Sequence, residues 1–334
     1  MKNVDTEQKG FILCLVEIIL AGLFPVITKY GVGFINPLFF AAISALIGAG
    51  FMLIILKFRK ELRQLFSKEL LLNLFLIGLF GTFLSSIVFF FGSTMTSGIN
   101  ASILLQVEPI YSIVLSFFLL SELIRKKQVA ITLLILSGTI IVLYNGVLSI
   151  NMGDILILLT PLFWQIGHVV ARKTLEKTSS YVVSGARVFY GGILLFILSL
   201  IPGFSEYEFL TDPGIMLIFV FQGIIVYVGS MIVWYEAIGR INLSKATAII
   251  APYPIFSVIL AWIFLGETVS IYQLAGLAII IAGIILLSRI PSEKREKIAK
   301  KVVRGDKKRR LNQFLWRRKS SQDTTTPDPE VSRE

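Results

Sequence analysis

The sequence predicts an all-α, polytopic membrane protein with ten transmembrane helices arranged as two inverted five-helix repeats. Of its 334 residues, 55% are hydrophobic and only 16% are charged, whereas an average soluble domain has about 25% charged residues. Apolar runs of about 20 residues, the length that crosses a bilayer, follow one another almost without interruption. In addition, residues 100–140 resemble residues 245–285.

Ten segments have the length and composition of membrane-spanning helices. We predict them at residues 11–30, 36–57, 70–92, 99–120, 128–148, 153–172, 181–201, 214–238, 243–265 and 271–289. Asn36-Pro37 and Asp212-Pro213-Gly214 have the composition of turns, and the charged breaks between other segments would be costly in hydrocarbon. A membrane barrel is not expected, because its strands would alternate in polarity over about ten residues.

The basic residues predict the orientation, because Lys and Arg are enriched in cytoplasmic loops. With the N-terminus in the cytoplasm, the loops after the second, fourth, sixth and eighth helices lie inside. These loops contain Lys57, Arg59, Lys60, Arg63, Lys68, Arg125, Lys126, Lys127, Arg172, Lys173, Lys177 and Arg240. The intervening loops contain neither Lys nor Arg. We therefore expect a multi-pass protein of the cell membrane with both termini in the cytoplasm.

The internal repeat relates the two halves of the chain without gaps. Its most informative pairs involve residues other than Leu and Ile, and they are Pro109/Pro254, Glu122/Glu267, Gln128/Gln273 and Gly138/Gly283. Each half then contains five helices, and an odd number makes the halves enter the membrane from opposite sides. We predict a first repeat over residues 1–148, a second over 149–290 and a basic tail over 291–334. Inverted repeats are typical of secondary transporters.

The two halves resemble the EamA-type branch of the drug/metabolite transporter superfamily over about residues 10–289. The motifs are a mid-helix proline, a glutamate at the helix end and a helix with glycine, seen as Pro109, LLSELI and LLILSGTIIVLY, then Pro254, FLGETV and LAIIIAGIILLS. Lys29 in FPVITKYG and the segment LFWQIGHVVARK resemble the family's first and sixth helices. The resemblance implies a transporter and leaves its substrate open.

Five residues near mid-membrane depth are candidates for binding a substrate or a coupling ion, and they are Glu17, Glu108, Trp164, Gln165 and Tyr253. Polar groups inside spans are costly and usually face a cavity or a partner. Glu108 directly precedes Pro109, and a helix broken near the midplane can line a site. Tyr253 occupies the equivalent position of the second repeat. The structural interpretations are a neutral buried acid for Glu17 and a packed aromatic for Trp164.

Charged and polar residues towards the helix ends are candidates for gating or ion pairing, and they are Lys29, His168, Arg187, Glu236 and Lys245. Arg187, Glu236 and Lys245 could pair across an inner gate, or Arg187 could bind an anionic substrate. Glu236 and Lys245 could instead extend to the membrane interface. The chain has one histidine and one cysteine, so we expect no metal site, no disulfide and no cofactor.

The tail is basic between residues 293 and 318 and contains interspersed apolar residues. This pattern predicts an amphipathic helix on the anionic inner leaflet, followed by a polar, disordered end. Nucleic-acid binding is the rival interpretation of such a charge cluster, but the attachment to a membrane helix favours lipid. A homodimer is compatible with the sequence.

The leading functional hypothesis is a secondary transporter that moves a small metabolite, such as an amino acid or related compound, by alternating access. One alternative is a proton-coupled exporter of cationic drugs that uses Glu17 and Glu108. An alternative from another class is an intramembrane enzyme, or a flippase, acting on a lipid-linked substrate. The sequence has no G-x-x-x-x-G-K-[ST] loop and no clustered Asp or His within its helices, so we expect a transporter and not an enzyme.

Overall fold

A computed structural model describes residues 2–120, 126–144, 151–201, 203–204, 206–240, 246, 249–250 and 252–289. Within these ranges all regular secondary structure is helical, which confirms the all-α prediction. The basic tail over residues 291–334, together with Glu122 and Lys245, lies outside the described residues.

Each predicted span overlaps a helix or a helical group, but two starts differ from the prediction. The first helix begins at Lys2 and not at residue 11, and the ninth begins at Tyr253 and not at residue 243. The first half contains α1 (Lys2–Gly31), α2 (Pro37–Phe58), α3 (Leu71–Met95), α4 (98–120) and α5 (Lys126–Tyr144). The second half contains α6 (Met152–Thr174), α7 (Ser180–Ser199), α8 (213–240), α9 (Tyr253–Leu265) and α10 (Ile271–Ser288). Short 3₁₀ helices, Leu62–Phe66 and Tyr207–Thr211, lie in two of the connections.

Seven helices in the described part of the chain, α1 to α3 and α5 to α8, are long and apolar enough to cross a membrane. The helices α9 and α10 are apolar but shorter. Large apolar side chains such as Leu72, Trp262 and Ile271 are exposed on the outside of the bundle, where lipid would cover them. These features suit a multi-pass membrane protein.

Capping residues explain where several helices begin. The side chain of Asn36 accepts hydrogen bonds from the first turn of α2, and Pro37 is the first residue of that helix. Asp212 and Pro213 begin α8 in the same way. An oxygen-bearing cap followed by proline is a strong start signal, because proline lacks the N–H that the first turn cannot pair. The predicted turns are therefore helix caps.

Three helices are irregular in their middle. The helix α3 has a π-helical segment at Leu79–Leu84, and α8 has one at Phe221–Gly229; each is the third helix of its half. The helix α4 consists of Gly98–Leu104, a 3₁₀ turn at Leu105–Val107, and Glu108–Leu120. The turn lies directly before Glu108-Pro109, where the sequence predicts a broken helix. Such irregular segments often mark functional sites.

Equivalent helices of the two halves pack against one another, α2 against α7 and α5 against α10. Two close crossings also relate the halves. At one, Gly48 of α2 meets Gly223 of α8, and at the other Gly191 of α7 meets Gly78 of α3. Small residues let helix backbones approach closely, which is how membrane helices gain packing energy without a hydrophobic driving force.

Hydrogen bonds join the connections at each end of the bundle. At the end that carries the α1–α2 connection, here called the first end, the bonded pairs are Lys29–Ser93, Asn36–Glu206, Thr96–Asp154, Gly98–Glu267 and Ile99–Glu267. At the end that carries the α2–α3 connection, the second end, the pairs are Glu61–Ser179, Gln64–Thr178, Glu69–Lys177 and Ser180–Glu236. The hydrogen bond and charge of Lys177 hold the pKa of Glu69 below its usual value, so the Glu69 carboxylate stays ionised at neutral pH.

Candidate functional site

Glu108 lies at the centre of a polar group between α4 and α6. Its Oε1 accepts a hydrogen bond of 2.5 Å from Nε2 of Gln165 and lies 3.8 Å from Nδ1 of His168. The 3₁₀ turn before Glu108 places its side chain towards α6 at mid-helix. Among the tightly packed helices, 32% of the Glu108 side chain and 21% of the His168 side chain remain exposed. A carboxyl group held in this way is open to a ligand.

Arg187 extends this polar group to α7. Its Nη1 lies 3.2 Å from Nε2 of His168, and its charge acts on Glu108 and on Tyr227. The guanidinium passes beside Gly81 in the π segment of α3, where an added Cβ would lie 3.3 Å from its Nε. Gly81 therefore leaves the space that Arg187 occupies. These side chains follow one another in space in the order Gln165, Glu108, His168 and Arg187. His168 therefore lies between the carboxyl group of Glu108 and the guanidinium group of Arg187.

Aromatic side chains from four helices form a wall next to these polar groups. Phe24 stacks on Phe89 with ring centroids 4.3 Å apart and lies 5.7 Å from Trp164 and 6.4 Å from Tyr227. Trp164 directly precedes Gln165 and lies one helical turn before His168. Aromatic faces attract cations and pack against apolar groups, so the wall suits a ligand with an apolar or cationic part.

Glu17 lies elsewhere, between α1 and α8. Its Oε1 accepts a 2.6 Å hydrogen bond from Oγ of Ser230, and only 3% of the residue is exposed. Tyr253, at the start of α9, is close enough to interact electrostatically with both Glu17 and Glu108. The structure therefore brings Glu108, Gln165, Trp164 and His168 together, and it places Glu17 in a second, closed environment.

The candidate gating residues do not form one cluster. Glu236 pairs with Arg240 on its own helix and accepts a hydrogen bond from Ser180, whereas Arg187 contacts His168 deeper in the bundle. Ser180 is the residue of α7 that bonds to Glu236, and Arg187 lies about two helical turns further along α7. Arg187 therefore contacts His168 and not Glu236, with which the sequence suggested it could pair. Lys245 lies outside the described residues.

Lys29 is at the opposite end from Glu236. Its Nζ donates a 2.9 Å hydrogen bond to the backbone oxygen of Ser93, and it interacts electrostatically with Glu267. Glu267 in turn accepts hydrogen bonds from the backbone N–H groups of Gly98 and Ile99. A carboxylate at a helix N-terminus is favourable, so these contacts hold the beginning of α4 against the α9–α10 connection.

Three residues of these sites are absent from the sequence-based candidates. Phe89 completes the aromatic wall, Gly81 makes room for Arg187, and Ser230 is the hydrogen-bond donor to Glu17. Serine and glycine are common in membrane helices, so neither type stands out in a single sequence. The described residues contain no group of three His, Cys, Asp or Glu side chains placed to hold a metal ion.

The sequence of the chain also matches a known protein family. The profile described as "EamA-like transporter family" matches residues 8–144 and again residues 151–289. The uncharacterized transporter YyaM of Bacillus subtilis strain 168 is 24% identical to this chain, over 79% of this chain and 90% of its own length. A "probable amino-acid metabolite efflux pump" of Salmonella typhimurium strain LT2 is 26% identical, over 84% of this chain and 94% of its own.

A solved crystal structure of another protein has a similar fold. It matches this chain with a TM-score of 0.61 at 18% sequence identity, and the match covers 84% of this chain and 96% of the other. At this level of identity the likeness concerns the arrangement of the helices alone.

Proposed function

The chain belongs to the EamA-like transporter family, and from this premise we propose that it is a secondary transporter that moves a small metabolite across the cell membrane by alternating access. Its family and its relatives are transporters and not enzymes. The observation that carries the proposal is Glu108, an accessible carboxyl group that is hydrogen-bonded to Gln165 and lies near His168 in the middle of a broken helix. Discontinuous helices near the bilayer midplane line the binding sites of many transporters.

The arrangement of charges favours an amino acid or a related compound as the substrate. Glu108 offers a carboxylate for an ammonium group, and Arg187 offers a guanidinium for a carboxylate, since guanidinium groups bind carboxylates well. The wall of Phe24, Trp164 and Tyr227 would contact the remainder of the molecule. The metabolite efflux pump among the relatives is named for amino-acid metabolites, which supports the same class.

A proton-coupled exporter of cationic drugs is the second candidate. Glu108 next to an aromatic wall would attract an organic cation, and this juxtaposition is the observation in its favour. Arg187 argues against it, because its charge acts on the same site. An intramembrane enzyme or a flippase for a lipid-linked substrate stays a rival without a supporting contact among the described residues.

Uptake into proteoliposomes containing the purified protein distinguishes these candidates. The panel contains neutral, acidic and basic amino acids, their decarboxylated amines and quaternary ammonium compounds. We expect saturable transport of at least one amino acid, with much weaker transport of the amine that lacks its carboxylate. Transport of quaternary ammonium compounds alone would favour the drug exporter, and hydrolysis of a lipid-linked substrate would favour the enzyme. Protein-free liposomes provide the background.

We also propose that the chain crosses the membrane ten times, as two inverted five-helix repeats. The hydrogen bonds at the first end support this topology, because they join the α1–α2, α3–α4, α7–α8 and α9–α10 connections and the beginning of α6. Those at the second end join the α2–α3 and α6–α7 connections. The basic residues lie in the second group of loops, which supports a cytoplasmic position for that end and for both termini.

Cysteine labelling tests the orientation. Cys14 is the only cysteine and is buried, so its replacement by alanine gives a background for single cysteines. We expect Glu176→Cys, in the α6–α7 connection, to react with a membrane-impermeant maleimide only in inverted vesicles. Thr268→Cys, in the α9–α10 connection, should react only in intact cells. Both residues are exposed. Labelling of both positions from the same side would disprove the three membrane crossings between them, and labelling of Glu176→Cys only from outside would disprove the proposed orientation.

The remaining expectations about partners stay proposals. We propose that the basic tail lies on the anionic inner leaflet, that Lys29, Glu236 and Lys245 contribute to gating, and that a homodimer is compatible with function. None of these is required for the substrate site at Glu108. Binding of the protein to vesicles with and without anionic lipid tests the tail.

A further inference from the structure

Glu17 is a second acid in the bundle that the proposed substrate site does not use. Its Oε1 accepts one hydrogen bond, from Ser230, and its Oε2 has no hydrogen-bond partner among the described groups. The residue is almost completely buried. A polar atom that is buried without a partner destabilises the fold, so this arrangement calls for a functional explanation.

The surroundings of Glu17 contain no positive charge among the described groups. The titratable or polar groups that face it are Cys14 on its own helix, Ser230 on α8 and Tyr253 on α9. The helices α3 and α4 also contact α1, and Glu108 of α4 acts electrostatically on Tyr253, as Glu17 does. An ionised carboxylate without a partner is very costly in such a place. Glu17 is therefore expected to be a neutral acid in this conformation.

A metal ion does not fit this position. Hard cations take six or more oxygen ligands, and apart from Glu17 the described neighbours supply the hydroxyl groups of Ser230 and Tyr253. A proton needs only one carboxyl oxygen. The orphaned Oε2 can carry that proton, because Oε1 already accepts the hydrogen bond from Ser230.

We propose that Glu17 is the proton-binding site of the transport cycle, separate from the substrate site at Glu108. The inference rests on the proposed transport function and adds its coupling ion. In each cycle the Glu17 carboxyl would take up one proton from water while the site is open to one side of the membrane, keep it while enclosed, and release it to water when the site opens to the other side.

The packing of α1 indicates how the site could open. One face of α1 is turned towards α8, with Glu17 bonded to Ser230, Phe24 near Tyr227, and Thr28 accepting a hydrogen bond from Gln222. Ser230 directly follows the π segment of α8. A shift of that segment would move Ser230 away from Glu17. Separation of α1 from α8 would then expose the acid to water.

Two assays on the same proteoliposomes test the proposal, with a substrate identified in the screen. The first measures substrate exchange at equal pH on both sides. The second measures accumulation driven by a pH gradient, together with proton movement reported by a trapped pH-sensitive dye. For Glu17→Gln we expect exchange close to the wild-type rate, and a loss of driven accumulation and proton movement of about tenfold or more. Glu108→Gln should lose both activities.

Two further variants and the wild-type protein serve as controls for this test. Cys14→Ser alters a neighbour without removing the acid and should behave as wild type. Ser230→Ala should change the pH dependence of driven transport and leave exchange intact. Wild-type exchange without proton movement would overturn the inference and leave the proposed function standing, even if Glu17→Gln does not fold. Full driven accumulation by Glu17→Gln, or equal loss of exchange and accumulation, would also overturn it. Absence of any wild-type transport would instead count against the proposed function.

Discussion

Glu108→Gln is expected to reduce substrate transport by about tenfold to a hundredfold while the protein still folds and inserts. A hydrogen bond to a charged group contributes about 1.5–3 kcal/mol, and the amide cannot supply the negative charge that an ammonium group would meet. The new side chain has the same shape, and its oxygen can still accept the hydrogen bond from Gln165. The loss should therefore appear in transport and not in thermal stability.

The measurement is initial uptake into proteoliposomes at several substrate concentrations, with the unfolding temperature of each purified variant recorded beside it. Glu176→Gln is the matched control, because it makes the same chemical change at an exposed position between α6 and α7 and should transport as wild type. Wild-type uptake by Glu108→Gln between pH 5 and 8 would show that Glu108 is a structural acid and would remove it from the substrate site.

The starts of α2 and α8 could be predicted because local chemistry determines them, whereas α1 and α9 begin about ten residues from their predicted starts. Asn36-Pro37 and Asp212-Pro213 act as caps in the structure as they do in the sequence pattern. The broken α4 was also predictable, since Pro109 removes a backbone donor and disturbs the preceding turn. The π segments of α3 and α8 were not, because their residues are apolar and carry no local signal that distinguishes them from α-helix.

The contacts of the candidate site depend on the tertiary arrangement. The sequence singles out Glu17, Glu108 and Arg187 because charges in membrane spans are rare. It does not show that Arg187 contacts His168 instead of Glu236, or that Ser230 serves Glu17, because these pairs come from different helices whose relative rotation depends on packing. Glycines set part of that packing, and an isolated glycine does not reveal which helix it meets.

A single added methyl group should destabilise the fold most at the two helix crossings. A Cβ added to Gly223 would lie 2.3 Å from the backbone oxygen of Ser44, and one added to Gly191 would lie 2.7 Å from the backbone oxygen of Gly78. Backbone atoms cannot rotate away as a side chain can, so α2 and α8, or α7 and α3, would have to separate. Overpacking of this kind costs about 1–3 kcal/mol and sometimes more.

We therefore expect Gly223→Ala and Gly191→Ala each to lower the unfolding temperature of the purified protein and the yield of monodisperse protein. Gly50→Ala is the matched control, because Gly50 lies on α2 only two residues from Gly48 and a Cβ there meets nothing within 4 Å. That variant should be as stable as wild type, or more stable by up to about 1 kcal/mol, since alanine favours helix over glycine. If the repeat makes the two crossings equivalent, Gly223→Ala on α8 and Gly78→Ala at the corresponding position of α3 should cost similar amounts. If Gly223→Ala unfolds at the same temperature as Gly50→Ala, then α2 and α8 do not approach so closely. If only one of the crossing variants loses much stability, then the two halves depend on these glycines unequally.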